Sequence, residues 1–170
     1  MEYLIRYIKI GMVASIALFF TAISFGNMTD FQDNWLFVQH VMSMDTTFHR
    51  PSLMWHAVKS PHLQLASYYF IIAWQIITAI TCWAGCIIML VNVHSKGSRF
   101  ASSKNIASLG LFLGFLLYMV GFMIIAGEWF GMWQSRQWNG QGSAGLFLNF
   151  ILLTLVFLQQ RDGDEKSQSA

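Results

Sequence analysis

The stretch YYFIIAWQIITAITCWAGCIIMLVNV, residues 68–93, contains no charged side chain. A helix needs about 20 consecutive apolar residues to cross the hydrocarbon core of a bilayer. Three further apolar stretches, at about residues 7–25, 106–126 and 144–158, approach or reach that length. The sequence therefore predicts an all-α membrane protein built as a bundle of four transmembrane helices.

The composition agrees with this architecture. The chain is 55% hydrophobic and only 11% charged, whereas soluble domains carry about 25% charged residues. The formal net charge is only +2, so the chain has no electrostatic footprint for nucleic acid. Cys82 and Cys86 share a helix face inside the second span, where we expect packing residues and not a redox pair.

Small residues in two spans predict close helix packing. Gly110 and Gly114 form a GxxxG pair in the third span, and Gly11 and Ser15 form a similar pair in the first. Such residues allow backbones to approach in lipid. We expect them to serve contacts within the chain in preference to homodimerisation.

The lysines and arginines indicate the orientation in the membrane, because cytoplasmic loops carry the excess of positive charge. With the N-terminus inside, seven of the ten lie on the cytoplasmic side. The three on the outer side are Arg50, Lys59 and Arg136. We expect a multi-pass protein of a bacterial inner (plasma) membrane with both termini cytoplasmic. Residues 1–160 form one membrane domain, and the polar residues 161–170 form a disordered cytoplasmic tail.

The two outer connections are predicted to form a cap of short helices over the bundle. Residues 27–67 contain NWLFVQHVMSM (34–44), whose apolar spacing suits an amphipathic helix. PSLMWHAVKS (51–60) suits a second helix, with Pro51 in its first turn. Residues 127–143 form the other half of the extracytoplasmic cap.

Tryptophan is concentrated in these outer segments. Five of the seven tryptophans lie there: Trp35, Trp55, Trp129, Trp133 and Trp138. Tryptophan is enriched at both membrane–water boundaries, whereas the tryptophans in the connections of this chain lie at only one of them. Anchoring therefore explains some of the rings. The excess indicates a packed cap, a partner surface or a ligand pocket.

Two outer acids are candidates for a site. Glu128 stands where the third span leaves the membrane, and a carboxylate there must pair or reach water. It is either an interfacial acid paired with Arg136 or Lys59, or a buried acid that binds a proton, cation or ligand. Asp45 either forms a turn with the threonines after it, or pairs with Arg50 or a ligand.

Outer histidines and methionines raise the alternative of copper or haem. Imidazole and methionine sulfur suit Cu(I), and His/Met pairs can ligate haem. The histidines are His40, His49, His56 and His62, and the methionines are Met42, Met44, Met54 and Met132. Their spacing follows no ligand motif, and no histidine lies inside a span. We therefore predict no cofactor and leave the metal unassigned.

Two motifs, VMSMDTTF (41–48) and GEWFGMWQSRQWNGQ (127–141), resemble those of a bacterial family of predicted small integral membrane proteins, domain-of-unknown-function family 2165. The resemblance covers nearly the whole chain. It implies a four-span inner-membrane protein with its motifs on the outer face, and it implies no established activity. The positions that match its pattern are His40, Met44, Asp45, Thr46, Thr47, Glu128, Trp129, Trp133, Gln134, Trp138, Asn139 and Gln141.

The sequence contains no nucleophile–base pattern, phosphate loop or zinc motif, so a non-enzyme is favoured. The leading hypothesis is an accessory or assembly subunit whose outer cap binds a membrane-protein partner; the other expected contacts are membrane lipid and further copies of the chain. One alternative is an oligomeric transporter or channel that uses Glu128. Another is metal or haem handling by the outer loop. The expected ligand or partner site comprises His40, Met44, Asp45, Glu128, Trp129, Trp133, Gln134, Arg136, Trp138, Asn139 and Gln141.

Overall fold

The computed structural model describes residues 2–162, and this part of the chain consists of helices and connecting loops. The α-helices are α1 (Glu2–Thr29), α2 (Phe31–Ser43), α3 (Pro61–Val91), α4 (Gly97–Ser103), α5 (Asn105–Leu116) and α6 (Gln141–Gln159). A π-helical segment, Leu117–Trp129, continues α5 directly. Short 3-10 turns occupy Met54–His56 and Met132–Gln134.

Four helical stretches are long and apolar enough to cross a membrane: Tyr3–Thr29, Pro61–Val91, Gly97–Trp129 and Gln141–Gln159. The prediction of an all-α protein with four spans is therefore confirmed. The helices extend beyond the apolar stretches, so that Arg6 and Gln64 lie inside α1 and α3. Apolar runs mark only the part of a helix that hydrocarbon requires, whereas backbone hydrogen bonding continues past that boundary.

Small residues bring α3 and α5 into close contact. A Cβ added to Gly85 would lie 2.5 Å from the backbone of Ala107, and one added to Gly110 would lie 2.6 Å from Cys82 Sγ. Cys82 and Cys86 are buried free thiols. Cys82 thus fills the space opposite a glycine, as expected for a packing residue.

The GxxxG pair is used within the chain, with a different neighbour for each glycine. Gly114 faces α1, where a Cβ would lie 2.8 Å from the Phe20 ring, and Phe20 is completely buried. The other predicted pair has no such role. Gly11 would meet nothing within 4 Å, and Ser15 donates to the Gly11 carbonyl of its own helix at 2.9 Å.

One of the two predicted short helices is confirmed and the other is wrong. Helix α2 covers the first and begins three residues earlier. The segment 51–60 contains only the 3-10 turn Met54–His56, after which Ala57 is extended. The Val58 N–H donates to the Met42 carbonyl at 2.8 Å, so this backbone group is bound to α2 and cannot extend a helix.

Candidate functional site

The two connecting segments expected to form the cap contact each other at one end of the bundle. We call residues 30–60 together with 127–140 the aromatic layer. Its interior is an apolar cluster in which Val41, Met44, Phe130 and Met132 are buried. Because two of these residues come from each segment, neither segment buries its apolar side chains without the other.

Ser135 joins the two segments by hydrogen bonds. The Thr46 hydroxyl donates to Ser135 Oγ at 2.9 Å, and the Trp138 N–H donates to the same oxygen at 2.9 Å. Nearby, the Phe48 N–H donates to Gln134 Oε1 at 3.0 Å. Ser135 is buried, so these bonds hold the two loops in one arrangement.

His40 and Asp45 form an oriented pair at the surface of the layer. His40 Nδ1 lies 2.7 Å from Asp45 Oδ2. Met44 has a positive φ of 55°, which turns the chain so that Asp45 returns toward α2. The His40 ring stacks on Trp138, with centroids 4.5 Å apart and an interplanar angle of 13°. Asp45 therefore pairs with His40, and not with Arg50 as one sequence interpretation had it.

A second imidazole–indole stack lies at the edge of the layer. His56 and Trp129 have ring centroids 4.1 Å apart and are nearly parallel, and His56 Nδ1 lies 2.7 Å from the Trp129 carbonyl oxygen. Trp55 meets the Trp129 ring edge-on at 5.5 Å. Phe48 meets Trp133 in the same way at 5.9 Å.

Glu128 fits neither of its two sequence interpretations, a paired interfacial acid or a buried one. Its side chain is exposed, and it makes no hydrogen bond or ion pair with any residue between 2 and 162. Arg136 and Lys59, its expected partners, are also exposed. Glu128 stands where the π-segment ends, so its carboxylate points out of the fold and leaves the layer interior apolar.

The remaining predicted residues serve the start of α6. Asn139 Oδ1 accepts the Gln141 N–H at 3.0 Å, and the Gln141 side-chain amide lies against Gly127. Gly140 lies against Phe37, since an added Cβ would approach that ring to 3.1 Å. The residues selected from the sequence do lie together in this layer, but most of them make contacts that hold its loops in place.

The histidines of the layer do not converge. Among the residues that the structure describes, no group of three or more His, Cys, Asp or Glu side chains could hold a metal ion. His40 is bound to Asp45 and His56 to the Trp129 carbonyl. Met44 and Met132 are buried in the apolar cluster.

A cavity of about 470 Å³ lies beneath the layer, between α1, α2, α3, the π-segment and α6. Aromatic rings form much of its wall: Phe19, Phe37, Tyr68, Tyr118, Phe122 and Phe147. Polar groups also line it, among them Asp30, Asn34 and Gln75. The sequence analysis missed this cavity because its lining residues are spread over five separate elements, with only two to four from each.

At the opposite end of the bundle, a buried ion-pair cluster joins the two ends of the described chain. Lys9 Nζ lies 2.7 Å from Asp162 Oδ1, and Lys104 pairs with the other oxygen of that carboxylate. All three residues are at most 6% exposed. Arg6 is fully buried and donates to the carbonyls of Val93 and Ser95 at 2.7 Å each.

Asp162 was assigned to the tail by its sequence, together with residues 163–170, which lie outside the described residues. Its contact with Lys9 bridges a separation of 153 residues. Its sequence context is polar and charged, with Arg161 before it and Asp164 and Glu165 after it, and gives no sign of burial. Asp162 is nevertheless buried against the helices.

Comparison with known proteins identifies one family. The family model described as "Predicted small integral membrane protein (DUF2165)" matches residues 5–161. No curated protein matches the chain. No solved structure matches it.

Proposed function

From the premise that the chain belongs to the DUF2165 family of predicted small integral membrane proteins, we propose that it is a non-catalytic accessory or assembly subunit. Its aromatic layer binds a second integral membrane protein. The membrane is the inner (plasma) membrane of a bacterium. The layer lies on the outer side and both termini lie in the cytoplasm.

This proposal rests on aromatic side chains that are exposed on the packed and hydrogen-bonded aromatic layer. Phe48, Trp55, Trp129 and Trp133 are each between 47% and 70% exposed. They pair edge-on as Phe48 with Trp133 and Trp55 with Trp129. Aromatic residues are enriched at protein interfaces, and a surface held rigid before binding loses less entropy on association.

The charge distribution supports the orientation. Arg6, Lys9 and Lys104 meet at the end of the bundle opposite the aromatic layer. Positive residues are retained on the cytoplasmic side during insertion. With this end inside, the layer is outside, where a partner's extracytoplasmic loops are accessible.

Site-specific photocrosslinking in intact cells tests the proposal. A photoreactive p-benzoylphenylalanine replaces Trp133 in one strain and Phe112 in another. The two positions are matched in exposure, at 48% and 47%, but Phe112 lies on a membrane-spanning helix. We expect one discrete heteromeric protein adduct from position 133 and lipid adducts from position 112.

Variants within the patch show whether the adduct depends on the proposed surface. Trp55→Ala and Trp129→Ala should each weaken the adduct formed at position 133, because the partner loses an aromatic contact. Lipid adducts alone at position 133 would mean that the rings are bilayer anchors. Adducts to a second copy of this chain would replace the accessory role with homo-oligomerisation.

The carboxylate of Glu128, which is exposed and has no ion pair with residues 2–162, supports a second candidate, an oligomeric transporter or channel. A neighbouring copy could complete an ion site around it. Proteoliposome flux of the wild type and of Glu128→Gln separates the two functions. A flux that the substitution abolishes favours transport, while equal flux, or none in either protein, removes this candidate.

A further inference from the structure

The cavity beneath the aromatic layer has the dimensions of a small-molecule site. On α1 it extends from Phe19 to Asn27, which at 1.5 Å per residue corresponds to about 12 Å along the helix axis. Its mouth is polar, with Asp30, Asn34 and Ser143. Its volume of about 470 Å³ lies within the range of small-molecule sites, about 300–1,000 Å³.

Two buried residues present unused hydrogen-bonding groups to this cavity. Asn27 Nδ2 donates to Gln75 Oε1 at 2.7 Å, which orients the Gln75 amide and leaves its Nε2 without a partner within residues 2–162. The Tyr118 hydroxyl likewise has no partner in that part of the chain. The two residues are only 3% and 4% exposed, and both line the cavity.

Neither Gln75 Nε2 nor the Tyr118 hydroxyl is a fully enclosed atom, because both keep contact with the space of the cavity. Their hydrogen-bonding capacity is therefore available to whatever fills that space. The third polar group at this depth is already occupied, since the Tyr68 hydroxyl donates to the Asn27 carbonyl at 2.9 Å. The two remaining donors are therefore placed to bond an occupant that carries an oxygen acceptor.

The walls and the mouth define the rest of the occupant. Aromatic side chains favour a flat ring, which they meet in stacked or edge-on contact. Asp30 at the mouth is exposed and acidic, so it repels anions. We propose that this cavity is a binding site for an uncharged aromatic ring compound whose carbonyl oxygen accepts hydrogen bonds from Gln75 and Tyr118.

A neighbouring cavity provides an internal comparison. It has a volume of about 640 Å³ and shares Phe37, Val38, Ile71 and Phe122 with the first. Its other lining residues, which include Leu63, Phe70, Leu117 and Ile125, are almost all apolar. A ring compound held only by the hydrophobic effect has no reason to prefer the first cavity over this one.

Benzophenone is a suitable probe, because it is an uncharged aryl ketone that inserts into nearby C–H bonds under ultraviolet light. The full chain in lipid nanodiscs is irradiated with it, and the adducts are located by peptide mass spectrometry. Fluorenone and fluorene then compete; they share one ring frame, and only fluorenone carries a carbonyl. We expect adducts at Phe19–Asn27 and Tyr118–Phe122, and competition by fluorenone that is about tenfold stronger than by fluorene.

Three variants test the geometry. Gly26 lines the cavity and a Cβ there would meet nothing within 4 Å, so Gly26→Leu should fold, fill the cavity and abolish the adducts. Gly11→Leu is the matched control, because Gly11 lies on the same helix with equally open space and away from the cavity. Tyr118→Phe keeps the ring and removes the hydroxyl, so it should remove most of the preference for fluorenone over fluorene.

Several results would overturn the inference. Adducts confined to Leu63, Phe70 and Leu117 would show an unspecific apolar groove, and equal competition by fluorene and fluorenone would show that the donors play no part. Labelling of Gly26→Leu at the wild-type level would exclude this cavity. None of these readouts depends on the surface around Trp133. The ligand site can therefore be confirmed when partner binding is disproved, and partner binding can be confirmed when the ligand site is disproved.

Discussion

At the scale of single residues, the structure separates side chains that hold the aromatic layer from those that remain free to bind. Met44, predicted as a site residue, is buried in the apolar cluster, and Asn139 bonds the first N–H of α6. Trp129 and Trp133 remain about half exposed. A motif of mixed aromatic and amide residues thus contains both supporting and presenting positions, and its letters alone do not distinguish them.

Ser135 provides a residue-scale prediction. Its Oγ accepts hydrogen bonds from Thr46 and from the Trp138 N–H, so Ser135→Ala leaves two donors unbonded. We expect the free energy of unfolding to fall by about 1–3 kcal/mol, measured by SDS titration in mixed micelles. Ser15→Ala is the control, since Ser15 is exposed and bonds only its own helix. Equal stability of the two variants would contradict the bracing role of Ser135.

At the scale of helices, one rule operates at each close contact: a small residue faces a larger group on a different helix. Gly85 admits Ala107, Gly110 admits Cys82 and Gly114 admits Phe20. The GxxxG spacing predicted close packing, but it did not indicate that its two glycines face different neighbours. That division depends on how α1 and α3 are placed around α5.

An element-scale prediction follows from Gly85. An added Cβ would come within 2.5 Å of the Ala107 backbone, so Gly85→Ala must separate α3 from α5, and overpacking of this kind costs about 1–3 kcal/mol. Gly11→Ala should be neutral or slightly stabilising, because its Cβ meets nothing within 4 Å. SDS unfolding of both variants checks the pair. A stable Gly85→Ala protein would mean that the two helices are not in this contact.

At the scale of the whole molecule, the two ends of the bundle use different chemistry. One end buries Lys9, Lys104 and Asp162 in an ion-pair cluster. The other end packs aromatic rings over an aromatic-lined cavity. The charged end joins the first and last spans, and the aromatic end joins the two loops, so the four helices are held at both ends.

The ion-pair cluster gives a prediction for the whole fold. Asp162→Asn leaves two buried ammonium groups without a carboxylate, and removing one partner of a buried pair costs about 3–5 kcal/mol. SDS unfolding should show this loss, and the C-terminal end should become sensitive to protease. Asp33→Asn, at an exposed acid, should change stability by no more than about 0.5 kcal/mol. Equal behaviour of the two variants would remove the cluster as the contact between the chain ends.

Labelling of introduced cysteines tests the proposed orientation. Ser52 is exposed in the segment between α2 and α3, and Ser98 is exposed in the first turn of α4, at the opposite end of the bundle. In intact cells with a permeabilised outer envelope, an impermeant maleimide should label Ser52→Cys and should label Ser98→Cys only after the inner membrane is opened. The wild type should stay unlabelled, since Cys82 and Cys86 are buried. The opposite labelling pattern would show that the topology is inverted and that the aromatic layer lies in the cytosol.

The sequence by itself determined the class of the protein. The four spans could be predicted, because span length and apolar content are properties of short stretches of sequence in a single solvent, the bilayer. Family resemblance was visible in two contiguous motifs and was confirmed over residues 5–161. These features depend on neighbours in the chain.

Only the tertiary structure decided which polar groups are buried. Glu128, interpreted from the sequence as either an ion-paired interfacial acid or a buried one, is exposed, while Asp162, assigned to the tail, is buried. The cavity with Gln75 and Tyr118 exists because five elements leave space between them. Burial and hydrogen bonding are set by how distant helices pack, and one-dimensional spacing along the chain does not contain that distance.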